Sequence, residues 1–138
     1  MPSIFSKIIA GQIPSYKVAE NKHCFAFLDI NPLKEGHVLC VPKKEVDDLF
    51  DLDSESYNEL MAFSKQVATS IKKTISCKRV CVIVLGFEVP HAHIHLVPVN
   101  NEAEANFRNP KLKFTKDEFE QTQKKIAQSF LELSGTSA

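Results

Sequence analysis

The pentapeptide His91-Ala92-His93-Ile94-His95 limits the possible fold more than any other segment of the sequence. Alternate residues of an extended strand point to the same side, so the three imidazoles are expected to share one face. The alanine and isoleucine between them would point to the opposite face, where they can pack in a core. Pro90 and Pro98 flank the segment and favour an extended backbone over a helix. The pattern therefore predicts a strand within residues 90–99 with one titratable face and one apolar face.

Apolar periodicity and the placement of glycine and proline predict seven further elements. Helices are expected at 4–10, 53–75 and 115–133, and strands at 16–20, 24–29, 37–41 and 79–85. Possible capping boxes, Ser56-x-x-Glu59 and Thr115-x-x-Glu118, mark the starts of the two longer helices. Short strands joined by turns, with helices beside them, predict an α+β fold with a mainly antiparallel sheet of about five strands. A length of 138 residues fits a single domain over residues 1–138.

The charge balance argues against partners that bind through a broad electrostatic surface. Lys and Arg together number 17, as do Asp and Glu, so neither nucleic acid nor an anionic membrane is an expected partner. The N-terminus lacks a signal peptide and no apolar stretch is long enough to span a bilayer, which predicts a cytoplasmic protein. The four cysteines lack C-x-x-C spacing and are expected to be free thiols in a reducing compartment. No cofactor is predicted.

Three interpretations of the histidine face are open from the residues alone. The first is a solvated surface, although threonine is a commoner choice at an exposed strand position. The second is a metal site, but His91 and His95 would stand about 13 Å apart on a flat strand, too far to share one ion easily. The third is nucleophilic catalysis, in which a neutral imidazole attacks phosphorus and a neighbouring cationic imidazole stabilises the phosphoryl oxygens. A positioned acid would then protonate the leaving group.

The His-x-His-x-His motif followed by two apolar residues resembles the signature of the histidine triad (HIT) superfamily of nucleotide hydrolases and transferases. The resemblance, to the Hint branch, is carried by three more segments: 4–9 with Ile13-Pro14, 25–32, and 36–43. It covers residues 4 to about 99 and leaves the helix at 115–133 outside. It implies a HIT-like fold and a homodimer whose sheet continues across the interface.

The resemblance also implies roles for individual residues. His93 is expected to attack the α-phosphate of a purine nucleotide, and water then releases the nucleoside monophosphate from the nucleotidyl-histidine. His95 would contact phosphate oxygens or pass a proton, His91 would orient the nucleophile through its backbone carbonyl, and His37 would complete the cluster. The nucleotide-binding residues implied are Ile4, Phe5, Ile8, Phe27, Ile30 and Leu39 around the purine, Asp29 at the ribose hydroxyls, and Glu88 and Val89 before the triad.

The sequence departs from the family pattern at two places. Phe87 and Glu88 stand where the family usually has Gln and then Ser or Thr, and an ionised carboxylate there would repel a phosphate. We hypothesise that Glu88 tunes the site toward an unusual leaving group. Some microbial members hold a structural zinc at the positions of Ser3, Ser6 and Glu45 with a triad histidine, but neutral hydroxyls do not replace thiolates. No metal is therefore predicted.

These features together predict a purine nucleotide phosphoramidase, or a related nucleotidyl hydrolase, that works through a nucleotidyl-histidine. The altered loop before the triad leaves two alternatives: a nucleotide-binding module with little catalysis, or a dinucleoside polyphosphate hydrolase.

Overall fold

The computed structural model describes residues 2–135, so both ends of the predicted domain, residue 1 and residues 136–138, lie outside the described residues. The helices are α1 (Ile4–Ile9), α2 (Ser54–Thr74) and α3 (Lys116–Leu133), and short 3₁₀ turns occupy Leu49–Asp51 and Glu102–Ala105. The strands are β1 (Lys17–Glu20), β2 (Cys24–Leu28), β3 (Val38–Pro42), β4 (Arg79–Ile83) and β5 (Ile94–Val99). No helix within residues 2–135 combines the length and apolarity needed to cross a bilayer.

The five strands form one sheet in the order β1-β2-β3-β5-β4, and every neighbouring pair is antiparallel. The predicted α+β fold with a five-stranded antiparallel sheet is therefore confirmed. The register places Phe27 opposite Leu39, Leu39 opposite His95, and His95 opposite Ile83. One transverse row thus joins apolar side chains of β2 and β3 to a histidine of β5 on the same face.

The two faces of the sheet have different coverings. Helices α2 and α3 cover the face that bears Cys40, Ile94 and Leu96, and they complete the largest apolar core with Phe63 and Ile126. The short helix α1 lies on the other face, which also carries His93 and His95. The predicted alternation of β5 is therefore present, with its apolar side buried under the long helices.

The C-terminal helix starts at the predicted capping box. The Thr115 side chain accepts the Glu118 N–H, and the Glu118 carboxylate accepts the Thr115 N–H. Its buried side packs on α2 and β1, with the rings of Phe130 and Phe63 5.8 Å apart. Since this core lies behind the sheet, α3 supports the strands from the side opposite to the histidines.

The helix expected at 53–75 and the strand expected within 90–99 are present as α2 and β5, but the proposed capping box of α2 and the placing of the whole histidine pentapeptide on the strand were wrong. The N-cap of α2 is Asp53, whose side chain accepts the Ser56 N–H, so the helix begins before the proposed Ser56–Glu59 capping box. Strand β5 begins only at Ile94, because the backbone just before it forms hydrogen bonds with segments outside the sheet. The Ala92 N–H, for example, donates to the Val46 carbonyl in the loop after β3.

Candidate active site

Three of the four predicted catalytic histidines lie side by side on the face of the sheet that carries α1. The ring centroids of His93 and His95 are 5.0 Å apart, and those of His95 and His37 are 5.2 Å apart. His95 reaches this position because β5 pairs with β3, and His37 because it directly precedes β3. The pairing of two strands therefore builds a contiguous imidazole cluster from distant parts of the chain.

The two ring nitrogens of His93 have different environments. Nδ1 lies 2.7 Å from the backbone carbonyl oxygen of His91, and a carbonyl can only accept, so Nδ1 carries the ring proton. A neutral His93 then keeps a lone pair on Nε2, which forms no hydrogen bond within residues 2–135. This is the form of imidazole that can attack an electrophilic phosphorus atom.

A backbone amide sets the proton positions of the other two rings. The Leu33 N–H donates to Nδ1 of His37 at 3.0 Å, so a neutral His37 ring carries its proton on Nε2. That nitrogen lies 3.0 Å from Nδ1 of His95, which must act as the acceptor. The proton of a neutral His95 ring is therefore on Nε2, where it can be donated in a hydrogen bond to an anionic ligand.

Burial keeps these rings neutral in the absence of a ligand. Desolvation is the main cause that lowers the pKa of His37 to about 3 and of His95 to about 4, and the adjacent imidazole lowers each of them further because two protonated rings would repel each other. Burial also lowers the pKa of His91. The lowered pKa values favour neutral rings in the unliganded protein, so the cationic imidazole expected beside the nucleophile during the reaction would have to gain its proton when a phosphate binds.

The same hydrogen bonds argue against a metal ion in the cluster. Asp29, His37 and His95 bring potential ligand atoms within 4.8 Å of one another. A metal on Nε2 of His37 would force the ring proton onto Nδ1, where it would face the N–H of Leu33. The two imidazole nitrogens are 3.0 Å apart, closer than the roughly 3.3 Å expected for two nitrogens on tetrahedral zinc. These residues do not fit a metal in the arrangement that they adopt.

His91 is separate from the other imidazoles and lies beside the start of α1. The ring is fully buried, with Nε2 2.8 Å from the Pro42 carbonyl oxygen and Nδ1 2.7 Å from Oγ of Ser3. Next to it, the Ser6 hydroxyl donates to the Glu45 carboxylate at 2.6 Å. The positions that hold zinc in some members of the resembled family thus form a hydrogen-bonded cluster here, and its oxygen groups do not suit zinc.

An apolar wall adjoins the histidine cluster. The Phe5 ring of α1 packs edge-to-face on Phe27 at 5.5 Å and on His93 at 5.0 Å between centroids. The other members of this wall are Phe25, Leu39, Val41, Ile8, Ile9 and Val89. Ile4 and Ile30 are 49% and 65% exposed, so these two predicted purine contacts lie at the surface. A buried aromatic wall with exposed aliphatic side chains provides the flat apolar surface that a nucleobase needs.

Asp29 follows the end of β2 and faces the histidine cluster. Its Oδ1 accepts the Asn31 N–H at 2.8 Å, as expected for an aspartate that starts a turn. Its Oδ2 lies 3.6 Å from Nε2 of His37, and burial raises the pKa of the carboxyl. One carboxylate oxygen is therefore held by the turn, and the other can accept hydrogen bonds from a ligand.

The loop at 84–90, before the triad, is largely exposed. Phe87 is 93% exposed and Glu88 is also exposed, whereas Val89 packs on the apolar wall. Glu88 makes no hydrogen bond or ion pair within the described residues, yet its charge contributes to the raised pKa of Asp29. Burial is the larger cause of that raised pKa, and the negative charge of Glu88 adds to it.

Phe107 is a site residue that the sequence analysis missed. Its ring lies 4.8 Å from that of His95 and 5.9 Å from that of His37, both edge-to-face, and so it contributes to their burial. The segment after β5 has no helical or strand periodicity that would point to this contact. A lone phenylalanine in a polar stretch was the available signal.

Comparisons with a protein family, with related sequences and with solved structures agree with this arrangement. The HIT domain family model matches residues 10–102. The adenosine 5′-monophosphoramidase of Saccharomyces cerevisiae is 39% identical over 100 residues, which make up 72% of this chain and 63% of the yeast protein. The chain thus spans less than two thirds of that relative's length.

Two further proteins match over most of their length. An uncharacterised HIT-like protein of Borreliella burgdorferi is 32% identical over 132 residues, 90% of this chain and 95% of that protein, so the match extends into α3. A crystal structure described as a hypothetical histidine triad nucleotide-binding protein from Sulfolobus tokodaii superposes with a TM-score of 0.82 at 27% identity. It covers 94% of this chain and 93% of that chain.

Proposed function

This chain belongs to the histidine triad (HIT) family, and from that premise we propose that it hydrolyses purine nucleoside phosphoramidates and related nucleotides through a nucleotidyl-His93 intermediate. The observation that carries the proposal is the 2.7 Å hydrogen bond from Nδ1 of His93 to the His91 carbonyl. It leaves the Nε2 lone pair as the nucleophile and balances the positive charge that the ring gains when it becomes nucleotidylated.

The proposed reaction has two displacement steps at phosphorus. In the first, Nε2 of His93 bonds to the α-phosphorus as the bond to the leaving amine breaks, and the amine takes up a proton. In the second, water attacks the same phosphorus, the P–N bond to His93 breaks, and the water gives up a proton. The products are the free amine and a nucleoside monophosphate. The N–H of His95 would stabilise the phosphoryl oxygens in both steps.

Two features support a nucleotide as the substrate. The Phe5 ring contacts both His93 and Phe27, so the two phenylalanines form an apolar wall beside His93. Such a wall suits a purine. The Asp29 carboxylate suits a ribose diol. A phosphoramidate is favoured among nucleotides because one relative, the yeast protein, is named an adenosine 5′-monophosphoramidase.

Turnover of adenosine 5′-phosphoramidate by His93→Ala tests the proposal. Removal of the nucleophile should lower kcat by about 10³-fold or more. His23→Ala is the matched control, since His23 is exposed and its side chain pairs with Glu59 at 3.2 Å, away from the cluster. Equal activity in both variants would contradict the proposal.

The exposed loop bearing Phe87 and Glu88 supports a second candidate, a nucleotide-binding module with little catalysis. Calorimetry and turnover on the same samples distinguish the two. Tight binding of adenosine monophosphate without hydrolysis of phosphoramidates or dinucleoside polyphosphates would favour the module. Preferential hydrolysis of a dinucleoside polyphosphate would change the substrate class but keep the role of His93.

We also propose that the protein is a cytoplasmic homodimer formed through β4. Within the described residues this strand pairs only with β5, and Val82, Val84 and Leu85 are exposed along it and just after it. An exposed apolar edge strand is a template for pairing with a second chain. The four cysteines are free, as expected in a reducing compartment.

A further inference from the structure

Ser3, the N-cap residue of α1, connects this helix to the buried ring of His91. Its Oγ accepts the N–H of Ser6 at 3.0 Å and lies 2.7 Å from Nδ1 of His91. Both Ser3 and His91 are buried, with 6% and 0% of their surface exposed. Among the residues that the structure describes, Ser6 is the next nearest hydrogen-bonding side chain to this ring nitrogen. Its Oγ lies 3.5 Å from Nδ1 of His91.

The direction of the proton in this contact follows from the other side of the ring. Nε2 of His91 lies 2.8 Å from the Pro42 carbonyl oxygen, which can only accept, so Nε2 carries a proton. Burial lowers the pKa of His91 and favours the neutral ring, in which Nδ1 has no proton. The Ser3 hydroxyl must therefore donate to Nδ1, and its lone pair accepts the Ser6 N–H.

Glu45 holds the backbone of the same residue. Oε1 of Glu45 accepts the Ser3 N–H at 2.7 Å and the Ser6 hydroxyl at 2.6 Å. Three separate segments meet here: the start of α1, the loop after β3, and the chain just before β5. The start of α1 is thereby tied to the peptide whose carbonyl accepts the hydrogen bond from His93.

We propose that Ser3 is a positioning residue for the nucleophile. Its hydroxyl keeps His91 neutral and holds that ring in place, and the His91 carbonyl in turn orients the His93 ring at 2.7 Å. The same hydroxyl caps α1, which presses Phe5 against His93 with 5.0 Å between the ring centroids. One side chain thus fixes both the orientation of the nucleophile and the apolar wall beside it. The catalytic consequence rests on the proposed function, but the effect on the two rings does not.

Three substitutions at position 3 separate the two bonds. Ser3→Thr keeps the cap and the donor, and Ser3→Ala removes both. Ser3→Asp keeps a good N-cap but offers only an acceptor, so it should draw a proton onto Nδ1 of His91. It is combined with Glu45→Gln so that the number of carboxylates in the cluster stays the same. Asp53→Ala, which removes the cap of α2, is the control for general loss of stability.

The readouts are the ¹⁵N signals of the histidine rings and the single-turnover rate of nucleotidylation. In the wild type and Ser3→Thr, His91 should be a neutral ring protonated on Nε2. Ser3→Ala should shift the ring signals of both His91 and His93 and slow nucleotidylation by about 10- to 100-fold. The aspartate variant should keep its melting temperature, show a cationic His91, and also be slow.

Unchanged ring signals of His91 and His93 in Ser3→Ala would overturn the inference, as would a rate loss matched by Asp53→Ala. Because the ring signals need no substrate, they decide the positioning role even for a protein without turnover. Wild-type protein that shows the expected ring signals but no turnover would instead contradict the proposed function.

Discussion

Two backbone groups, the Leu33 N–H and the His91 carbonyl, determine where the ring protons of the histidine cluster lie. Neither group can exchange its role of donor or acceptor, so the tautomers of His37, His95 and His93 follow from the fold. The result is one imidazole with a free lone pair next to another with a free N–H. The fold thus prepares the proposed nucleophile and a hydrogen-bond donor beside it before any ligand binds.

The lowered pKa values predict that stability falls as the pH is lowered from about 6.5 to about 4. In this window the histidines of the unfolded chain bind protons at their ordinary pKa of 6.5, whereas folded His37 and His95 resist protonation down to about 3 and 4. Urea unfolding at about pH 7 and pH 5 should show a loss on the order of 1 kcal/mol or more per buried histidine. His95→Asn should weaken this pH dependence and His23→Asn should not. A stability that does not change over this range would contradict neutral buried rings.

Glu88→Gln should tighten binding of adenosine monophosphate, because it removes from the loop before the triad a negative charge that would repel the phosphate and that also adds to the raised pKa of Asp29. An effect on the order of 1 kcal/mol corresponds to about fivefold in Kd, and it should shrink at high salt. The preference for cationic over neutral amine leaving groups should fall in the same variant. Glu55→Gln, at the start of α2 and behind the sheet, is the control. If Glu88→Gln and Glu88→Ser leave affinity and leaving-group preference unchanged, Glu88 has no part in the mechanism.

At the scale of elements, local signals predicted most of the fold. The capping box at Thr115 and Glu118 predicted the start of α3 because both partners are adjacent in sequence. The alternation in β5 identified the side that faces the long helices, because Ile94 and Leu96 pack under them. Patterns of this kind depend on neighbours within a few residues and so can be read from one chain.

Features that depend on distant partners could not be predicted in the same way. The start of β5 is set by the bond from Ala92 to Val46, and the burial of His95 is completed by Phe107. The separation of His91 from the other rings arises from its bond to Ser3, 88 residues away in sequence. Each of these contacts became visible only once the strands and loops were in place.

Thr115→Ala should destabilise the protein by about 1 kcal/mol, since it removes the side-chain acceptor that caps α3. Helix α3 completes the core behind the sheet, so the loss should appear in global unfolding by urea. Thr69→Ala is the matched control, because the exposed Thr69 hydroxyl only bonds back to the Lys65 carbonyl within α2. A stability change as large in the control would show that the cap has no special role.

At the scale of the whole molecule, the sheet order leaves β4 at one edge, next to the strand that carries His95. Pairing of two β4 strands would join two sheets and bury the apolar side chains along that edge. The family resemblance suggested such a dimer, and the exposed edge of β4 supports it.

Val82→Lys should convert the proposed dimer to a monomer, because a charged side chain on an edge strand opposes pairing with another strand. Light scattering should give about twice 15.5 kDa for the wild type and 15.5 kDa for the variant. Leu133→Lys, which alters an exposed apolar residue on α3, should leave the mass unchanged. A wild-type mass of 15.5 kDa would rule out the dimer.

Rapid acid-free quenching of the protein with adenosine 5′-phosphoramidate, followed by peptide mass spectrometry, tests the proposed nucleophile most directly. The wild-type protein should carry an adenylyl group on His93, formed and lost at rates that account for turnover. An adduct on His91, His95 or His37 with an unmodified His93, or turnover that passes through no adduct, would contradict the account.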